Sequence, residues 1–306
     1  MIKFSVPDDL GLSKIDECIF EMLGDVPLSV IKKCLSRGEV RLNGQRQKKI
    51  CPVYCGDLIE IYLPFSYEEY QHTLDIIYED KNLIIVNKHP GISVYEQQGQ
   101  NPTIQTLCEA YLRESGEYSP ATGCMPLFCN FVDPFIGGLV IISKNDDVYR
   151  FIREALAQRR IRKFYYALVD GTPNPPEDEL TAHLTPQNGS TKACLHPSLV
   201  RGSVHAAVRY QVVKPGDGFS LVQIEPVTDY AGQIYVFMQD IGNPILGDQQ
   251  YGNAKRNKEL AILYPALWGY RLLFETGKNH FLEYLDQKDF RTNKIVFPYL
   301  PFEEPA

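Results

Sequence analysis

The chain has 306 residues, of which 44% are hydrophobic and 23% are charged, proportions typical of a globular protein that buries a substantial core. No apolar run approaches the roughly 18 residues that span a bilayer, and residues 1–7 are too short and polar for a signal peptide, so we expect a cytoplasmic protein with no membrane contact. The net charge of −7 argues weakly against a nucleic-acid partner, because phosphate binding relies on Lys and Arg.

The eight cysteines form no Cys-x-x-Cys pair. Their closest spacings are Cys51-x3-Cys55 and Cys124-x4-Cys129, and no histidine stands at ligand distance from either. His183, His196 and His205 lie in separate segments and form no recognisable ligand set. We therefore expect free thiols in a reducing compartment and no metal site.

The first part of the chain has the pattern of a small domain, which we place at residues 1–66. Apolar residues recur at helical spacing up to Gly24, and a second apolar helix is expected to end at Gly38. A short strand, the turn dipeptide Asn43–Gly44 and a later strand at 58–62 then predict a small curled sheet. A polar stretch without periodicity follows and predicts a linker over residues 67–73.

Seven basic residues and a single acid, Glu39, occur between Lys32 and Lys49. The order of two helices, a basic second helix and a basic hairpin resembles the RNA-binding domain of the ribosomal protein S-four type. Positive side chains on a rigid helix hold phosphates and the shape of folded RNA. The alternative is that these side chains only form a solvated face. The predicted RNA-binding residues are Lys32, Lys33, Arg37, Arg41 and Arg46.

After the linker the pattern changes, and we assign residues 74–306 to a second domain. A hairpin is predicted over 76–86, helices over 103–112, 146–158 and 231–240, and strands over 164–169, 204–213 and 221–224. Strands dominate, and helices are inserted between hairpins. This order predicts an α+β fold with a mixed, largely antiparallel sheet, preceded by the small N-terminal α/β domain.

The segment around Asp133 is the strongest candidate for a functional site. Asp133 stands among Phe131, Val132 and Phe135, just before the apolar run Leu139–Ile142. A carboxylate is costly to bury without a partner, so a carboxylate among apolar residues usually has a hydrogen-bonding or ionic partner, or a function. We expect these neighbours to bury Asp133. The competing interpretation is an ordinary turn before Pro134.

Several segments in the same order resemble the RluA-type pseudouridine synthases. The spacing Asp-x-x-x-Gly-Gly-Leu at Asp133 is similar to the catalytic segment of that family, and four further segments match family motifs at 87–94, 163–169, 241–252 and 267–272. The resemblance covers about residues 10–275. It implies an enzyme that flips a uridine out of folded RNA and re-forms its glycosidic bond at C5, without a metal or organic cofactor.

Carried over by position, the resemblance implies that Asp133 is the catalytic carboxylate, either nucleophile or base, and that Tyr165 stacks on the flipped base. Tyr235 stands where the family has an arginine that pairs with the carboxylate, and we add it to the catalytic set. We expect a hydroxyl of Tyr235 or Tyr230 to replace that arginine with a neutral hydrogen bond. The predicted substrate-binding residues are Asn130, Phe131, Lys163, Tyr230 and Arg271, whereas Asp248 and Tyr251 are predicted to serve the fold.

Three functions remain open from the sequence. The first is a pseudouridine synthase acting on ribosomal or transfer RNA. The second is an RNA-binding pseudoenzyme that keeps the fold but has lost the supporting Arg and His side chains. The third is a structural protein that binds no RNA. In each case we expect a monomer that binds no DNA.

Overall fold

The structure is a computed structural model that describes residues 2–10, 12–23, 28–62, 74–95, 103–117, 125–186, 192–260, 262, 264–292 and 294–297. The predicted linker at 67–73 lies outside these ranges. Within the ranges, no helix has the length and apolarity to cross a membrane. No group of three or more His, Cys, Asp or Glu side chains in the described part of the chain could hold a metal ion.

The N-terminal residues form their own sheet and core. Strand β1 (Ile2–Ser5), helices α1 (Ile15–Leu23) and α2 (Leu28–Arg37), and strands β2 (Val40–Leu42), β3 (Gln45–Gln47) and β4 (Leu58–Ile61) follow in order. The strands pair in the order β1-β4-β2-β3, all antiparallel. Gly38, with φ +73°, ends α2 as expected for a left-handed helix terminator. The pattern missed β1, because a strand of four residues carries little signal.

The second part is built on one large sheet of eleven strands. They are β5 (Ile76–Glu79), β6 (Leu83–Lys88), β7 (Leu127–Phe128), β8 (Gly137–Ser143), β9 (Ile161–Asp170), β10 (Glu177–Thr185), β11 (Cys194–His196), β12 (Val204–Lys214), β13 (Phe219–Pro226), β14 (Leu267–Phe274) and β15 (Asp289–Arg291). The path runs β11-β10-β12-β13-β9-β14-β8-β6-β5, with β15 beside β14 and β7 beside β8. Only the β14–β8 pairing is parallel among the described strands, which confirms the mixed, largely antiparallel α+β prediction.

Four helices accompany this sheet within the described ranges: α3 (Ile104–Glu114), α4 (Asp146–Ala157), α5 (Gln233–Asp240) and α6 (Ala254–Glu259). Thr103 and Asn145 cap α3 and α4 by accepting backbone N–H bonds three residues on. The buried faces of α3 and α5 pack with strand residues in one apolar cluster, and α4 packs in a second cluster. Strands β6 and β8 are buried along their whole length, so the segment that follows Asp133 starts inside the core.

The start of β8 is fitted to a single bulky side chain. Trp268 on β14 is fully buried and its Nε1–H donates to Asn87 Oδ1 at 3.2 Å. A Cβ atom on Gly137, the first residue of β8, would lie 2.3 Å from the Trp268 ring. Glycine at 137 is therefore required by the indole, and the strand that leaves the Asp133 loop has its position fixed by this contact.

We expect Gly137→Ala to destabilise the protein by about 1–3 kcal/mol, because the added methyl overpacks a closed core. Trp268→His makes room at the same place, so the alanine should cost less in that background. Urea unfolding of the four proteins in this double-mutant cycle measures the coupling. If Gly137→Ala lowered the free energy of unfolding equally in the unaltered protein and in the Trp268→His variant, the steric explanation would be contradicted.

Candidate active site

The loop that carries Asp133 joins β7 to β8 and is tied to β8 by a side chain. Asn130 is buried, its Nδ2 donates to Leu139 O at 2.9 Å, and its Oδ1 accepts from Ile141 N at 2.7 Å. Both polar atoms are thus used to anchor the loop. These contacts give Asn130 a positioning role in the loop, and its assignment to substrate binding stays a prediction that uses the remaining amide N–H and oxygen lone pair.

Asp133 is exposed rather than buried, so the expectation from its apolar neighbours was wrong. Val132 and Ile136 turn into the core, and the chain turns at Asp133 so that its carboxylate faces out. Phe135 N donates to Asp133 Oδ1 at 2.8 Å, and Ile136 N donates to Asp133 O at 3.2 Å. A loop side chain that accepts from the backbone two residues on is held in one direction.

The carboxylate opens into a cavity of about 770 Å³, which we call the Asp133 cavity. Its walls come from the Asp133 loop, α5, the segment before α6, the segment before β14, and the end of α2 in the N-terminal part. The lining residues are Arg37, Phe131, Asp133, Phe135, Ile136, Ala231, Gly232, Tyr235, Asp248, Gln249, Gln250, Tyr251, Tyr264 and Pro265. A cavity of this size accommodates a nucleotide-sized ligand.

A buried lysine lies behind the loop. Lys88 is fully buried, and its Nζ donates to His89 O at 3.1 Å, Ile92 O at 3.1 Å and Ile136 O at 2.6 Å. Burial lowers the pKa of Lys88 to about 7, against the opposite effect of the Asp133 charge. Lys88 therefore clamps the end of the Asp133 loop to the segment after β6 and adds positive charge near Asp133 when protonated.

Tyr235, on the first turn of α5, lies near the carboxylate but does not bind it. Burial, and then the charges of Asp133 and Asp248, raise the pKa of Tyr235 well above its usual value, so its hydroxyl stays neutral. Among the described residues, neither Tyr235 nor Tyr230 donates a hydrogen bond to Asp133, and no cation lies within ion-pair distance of it. The prediction that a tyrosine hydroxyl replaces the arginine by a hydrogen bond to Asp133 is therefore wrong.

Tyr165, on β9, lies in a neighbouring cavity of about 120 Å³. Ile136, Gly232 and Tyr235 line both this cavity and the Asp133 cavity, so Tyr235 stands between the other two predicted catalytic side chains, Asp133 and Tyr165. A Cβ on Gly269 would come within 3.1 Å of the Tyr165 ring, so a small residue on β14 leaves room for the ring. Burial raises the pKa of Tyr165 and keeps its hydroxyl protonated.

A basic cleft of about 710 Å³ opens on the other side of Phe131. Its cations are Arg153, Arg159, Arg162, Lys163 and Arg209. Lys163 pairs with Asp229 at 2.6 Å and Arg162 pairs with Glu225 at 2.7 Å. Arg153 and Arg159 are exposed, and neither is paired with a carboxylate in the part of the chain that the structure describes.

Phe131 and Tyr230 are placed where a substrate could meet them. The Phe131 side chain is 61% exposed and lines both the Asp133 cavity and the basic cleft. Tyr230 is also exposed and lines the basic cleft and the Tyr165 cavity. Arg271 lines none of the described cavities, because it makes a two-bond ion pair with Asp289 at 2.8 and 3.1 Å and stacks over Phe164. These contacts favour a structural role, and the assignment of Arg271 to substrate binding stays a prediction.

Asp248 and Tyr251, predicted from sequence to serve only the fold, also line the Asp133 cavity. Asp248 is buried, its Oδ1 accepts from Gln250 N at 2.8 Å, and its Oδ2 has no partner within the described residues. Burial raises the pKa of Asp248. The ring of Tyr251 is stacked with Tyr235 at 6.2 Å. Both residues lie in a segment that matches a family motif, and this match could have indicated a place in the site. The Gly-Asp and Tyr-Gly pairs are also typical of turns, and this explanation was preferred.

The predicted RNA-binding residues separate into two places. Arg41 and Arg46 stand opposite each other on β2 and β3, and Glu60, 3.9 Å from Arg41, offsets part of the repulsion between these like charges. Lys32 is exposed on α2, 3.8 Å from Asp16. Arg37 instead points to the Asp133 cavity. The side chain of Lys33 lies outside the described residues.

Residues 82–240, just over half of the chain, match the model of the family described as RNA pseudouridylate synthase. The chain belongs to this family. It is 25% identical over 292 residues to ribosomal large subunit pseudouridine synthase C of Vibrio cholerae, covering 90% of this chain and 86% of that protein. It is 28% identical over 226 residues to ribosomal large subunit pseudouridine synthase D of Zymomonas mobilis, covering 73% and 70%.

Solved structures share the fold of this synthase. Human RNA pseudouridylate synthase domain containing 1 superposes with a TM-score of 0.55 at 20% identity, covering 72% of this chain and 89% of that one. Human RNA pseudouridylate synthase domain containing 4 gives a TM-score of 0.54 at 19% identity, covering 69% and 90%. These likenesses agree with the mixed sheet described above.

Proposed function

We propose that this synthase converts uridine to pseudouridine in ribosomal RNA, with Asp133 as the catalytic carboxylate. The observation that carries the proposal is the outward-facing carboxylate, held by Phe135 N–H at the wall of a nucleotide-sized cavity in a member of this family. The large-subunit names of the two bacterial relatives favour ribosomal over transfer RNA. Such a substrate places the protein in the cytoplasm, and we keep the monomer as the expected state.

The reaction is an isomerisation, in which the nucleotide neither gains nor loses atoms overall. The N1–C1′ bond of the uridine breaks, a C5–C1′ bond forms, the proton leaves C5, and N1 ends protonated. In our proposal Asp133 assists at the ribose, as nucleophile or as base. Tyr165 stacks on the base, as aromatic rings do with bases taken out of a helix, and the neutral hydroxyl of Tyr235 faces the same space.

RNA reaches the site, in this proposal, along the basic cleft and across the N-terminal domain. Arg153 and Arg159 have no carboxylate partner among the described residues and can hold phosphates beside Phe131, Arg153 with the donors that its bond to Cys129 O leaves over. On the N-terminal sheet, the facing pair Arg41 and Arg46 is expected to gain from a bound phosphate, because Glu60, 3.9 Å from Arg41, is shared with Lys3 and offsets only part of their mutual repulsion. The predicted contacts are to backbone phosphates, which supply affinity rather than sequence selection.

The experiment that tests this function measures tritium released from RNA labelled at uridine C5. Purified protein is incubated with labelled ribosomal RNA and, separately, with labelled transfer RNA. We expect release from ribosomal RNA, approaching one equivalent for each target site. Release from transfer RNA alone would overturn the substrate class, and release from neither would overturn the activity.

A second candidate function is supported by one observation. Within the described residues no cation pairs with Asp133, and Tyr235 lies between Asp133 and Tyr165. An RNA-binding pseudoenzyme would show this combination, with basic surfaces retained and the reaction lost. In that case the protein would bind ribosomal RNA but release no more tritium than its Asp133→Asn variant.

Phe131 is expected to act as a wedge that fills the gap left by the displaced uridine. An exposed apolar side chain between two RNA-facing cavities is suited to insertion into a base stack. We expect Phe131→Ala to slow pseudouridine formation about 10- to 100-fold, since stacking on one base contributes about 1–3 kcal/mol, with little change in thermal stability. Single-turnover tritium release measures the rate.

The matched control is Phe281→Ala, because Phe281 is also an exposed phenylalanine at 57% but lines none of the described cavities. Its rate should equal that of the unaltered protein. Equal rates for Phe131→Ala and Phe281→Ala would rule out the wedge.

A further inference from the structure

The Asp133 cavity is closed on one side by the N-terminal domain. The contact is made by Arg37, the last residue of α2, whose side chain is 26% exposed. Among the described residues that line this cavity, Arg37 carries the only side chain that is positively charged at neutral pH, while Asp133 and Asp248 are the acidic ones. A nucleotide in RNA brings a phosphate on each side, so a cavity with two carboxyls needs a cation to receive it.

Arg37 is held at this position by groups of the second domain. Its Nη1 donates to the Tyr264 hydroxyl at 2.7 Å, and its guanidinium lies 5.1 Å from the centre of the Phe135 ring and 5.5 Å from that of Tyr264. The rings of Phe135 and Tyr264 are themselves stacked at 5.5 Å. Phe135 is also the residue whose N–H binds the Asp133 carboxylate. The guanidinium therefore stacks on the residue that orients the catalytic side chain.

Arg37 retains donors for a ligand. A guanidinium has five N–H groups, and the bonds described above engage those on Nη1. Its ion pair with Glu39 of its own domain is long, at 3.9 Å, and also runs from Nη1. The Nε and Nη2 groups form the fork that matches two phosphate oxygens. Among the described residues, Glu39 is the carboxylate paired with Arg37, and this contact runs from Nη1.

We propose that Arg37 is a substrate-positioning residue of the active site, which binds a backbone phosphate next to the target uridine and so holds that nucleotide over Asp133. The N-terminal domain then does more than increase RNA affinity, because it completes the cavity in which the reaction takes place. This inference rests on the proposed function. The ligand we propose is RNA rather than a free nucleotide, because contacts over the whole RNA surface supply the affinity of the protein for its substrate.

The test uses Arg37→Met, which keeps a long stem over Phe135 and Tyr264 but removes the charge. Loss of one phosphate contact should lower the slope of log affinity against log salt by about 0.7–0.9. At saturating RNA, the single-turnover rate should fall about 10- to 100-fold, since a misplaced nucleotide reacts slowly. Arg37→Lys should keep the salt slope and lose part of the rate, because it keeps the charge without the fork.

The charge-matched control is Lys14→Met, because Lys14 is an exposed cation of the same domain, paired with Glu17 at 3.1 Å and absent from the lining of the cavities. It should match the unaltered protein in slope and rate. An unchanged slope in Arg37→Met would overturn the phosphate contact, and an unchanged rate at saturation would overturn the positioning role. Failure of the proposed function is read separately, as absence of tritium release from the unaltered protein, and the salt slope still decides the contact in that case.

Discussion

Replacing Asp133 by asparagine is expected to reduce pseudouridine formation by at least about 10³-fold, within the range that a positioned acid or base contributes. The variant keeps an oxygen that can accept the Phe135 N–H bond, so the loop should retain its shape. What it loses is the negative charge and the ability to attack or to accept a proton. Tritium release under single-turnover conditions, together with the dissociation constant for RNA, separates chemistry from binding. We expect the dissociation constant to change by no more than about threefold, since Asp133 makes no phosphate contact in our proposal.

A control for this variant is Asp240→Asn. Asp240 is an exposed carboxylate at the end of α5, the helix that carries Tyr235, and it lines none of the described cavities. Its variant should release tritium at the rate of the unaltered protein. Activity of Asp133→Asn within tenfold of the Asp240→Asn rate would remove Asp133 from the mechanism.

The second large effect is expected at Lys88. Replacing it by methionine leaves three buried backbone carbonyls without their donor. Each unsatisfied buried group costs about 1–3 kcal/mol. Some of this cost is returned, because the unaltered protein must release the Lys88 proton on folding at pH 8 whereas methionine carries none, and we expect a net loss of about 2–4 kcal/mol at that pH. The rate should fall as well, since Ile136 O is no longer tied and the Asp133 loop loosens. Urea unfolding and tritium release measure the two effects.

The contribution of Lys88 to stability depends on pH with a definite sign. Burial lowers the pKa of Lys88 from 10.5 to about 7 in the folded protein. Between these values the unfolded chain binds a proton that the folded chain has released, so this residue makes the free energy of unfolding rise with pH. Below pH 7 both states carry the proton and the contribution is constant. The stability difference between the unaltered protein and Lys88→Met should therefore widen from pH 7 to pH 9.

Lys81→Met provides the comparison, because Lys81 is an exposed lysine in the turn between β5 and β6. Its stability difference from the unaltered protein should stay constant over the same pH range. A constant difference for Lys88→Met as well would contradict the lowered pKa.

Local patterns were sufficient for most of the fold. The hairpin at 76–86, the helix at 146–158 and the strands that include 164–169 and 204–213 were predicted from periodicity and caps, and the structure confirms them within a few residues. The order of strands in the large sheet could not be predicted, because it depends on pairings between distant segments such as β14 with β8. Glycine 137 illustrates the same limit, since only the fold brings Trp268 against it.

The position of Asp133 was predicted from motifs, but its surroundings were not. A run of apolar neighbours suggested burial, whereas the turn at Asp133 sends its side chain out while Val132 and Ile136 point in. Arg37 was assigned to general RNA binding from its place in a basic cluster. Its contact with Tyr264 joins residues 227 positions apart in the chain, and no local pattern carries such information.

In our proposal, Asp133 performs the reaction on ribosomal RNA in a site that lacks a paired cation among the described residues. This proposal is tested most directly by mapping pseudouridine, through carbodiimide modification and reverse-transcription stops, in large-subunit ribosomal RNA from cells without this gene. The cells are supplied with either the unaltered protein or Asp133→Asn at equal expression. We expect at least one modified uridine that appears with the unaltered protein and is absent with Asp133→Asn. Identical maps for the two proteins would contradict it.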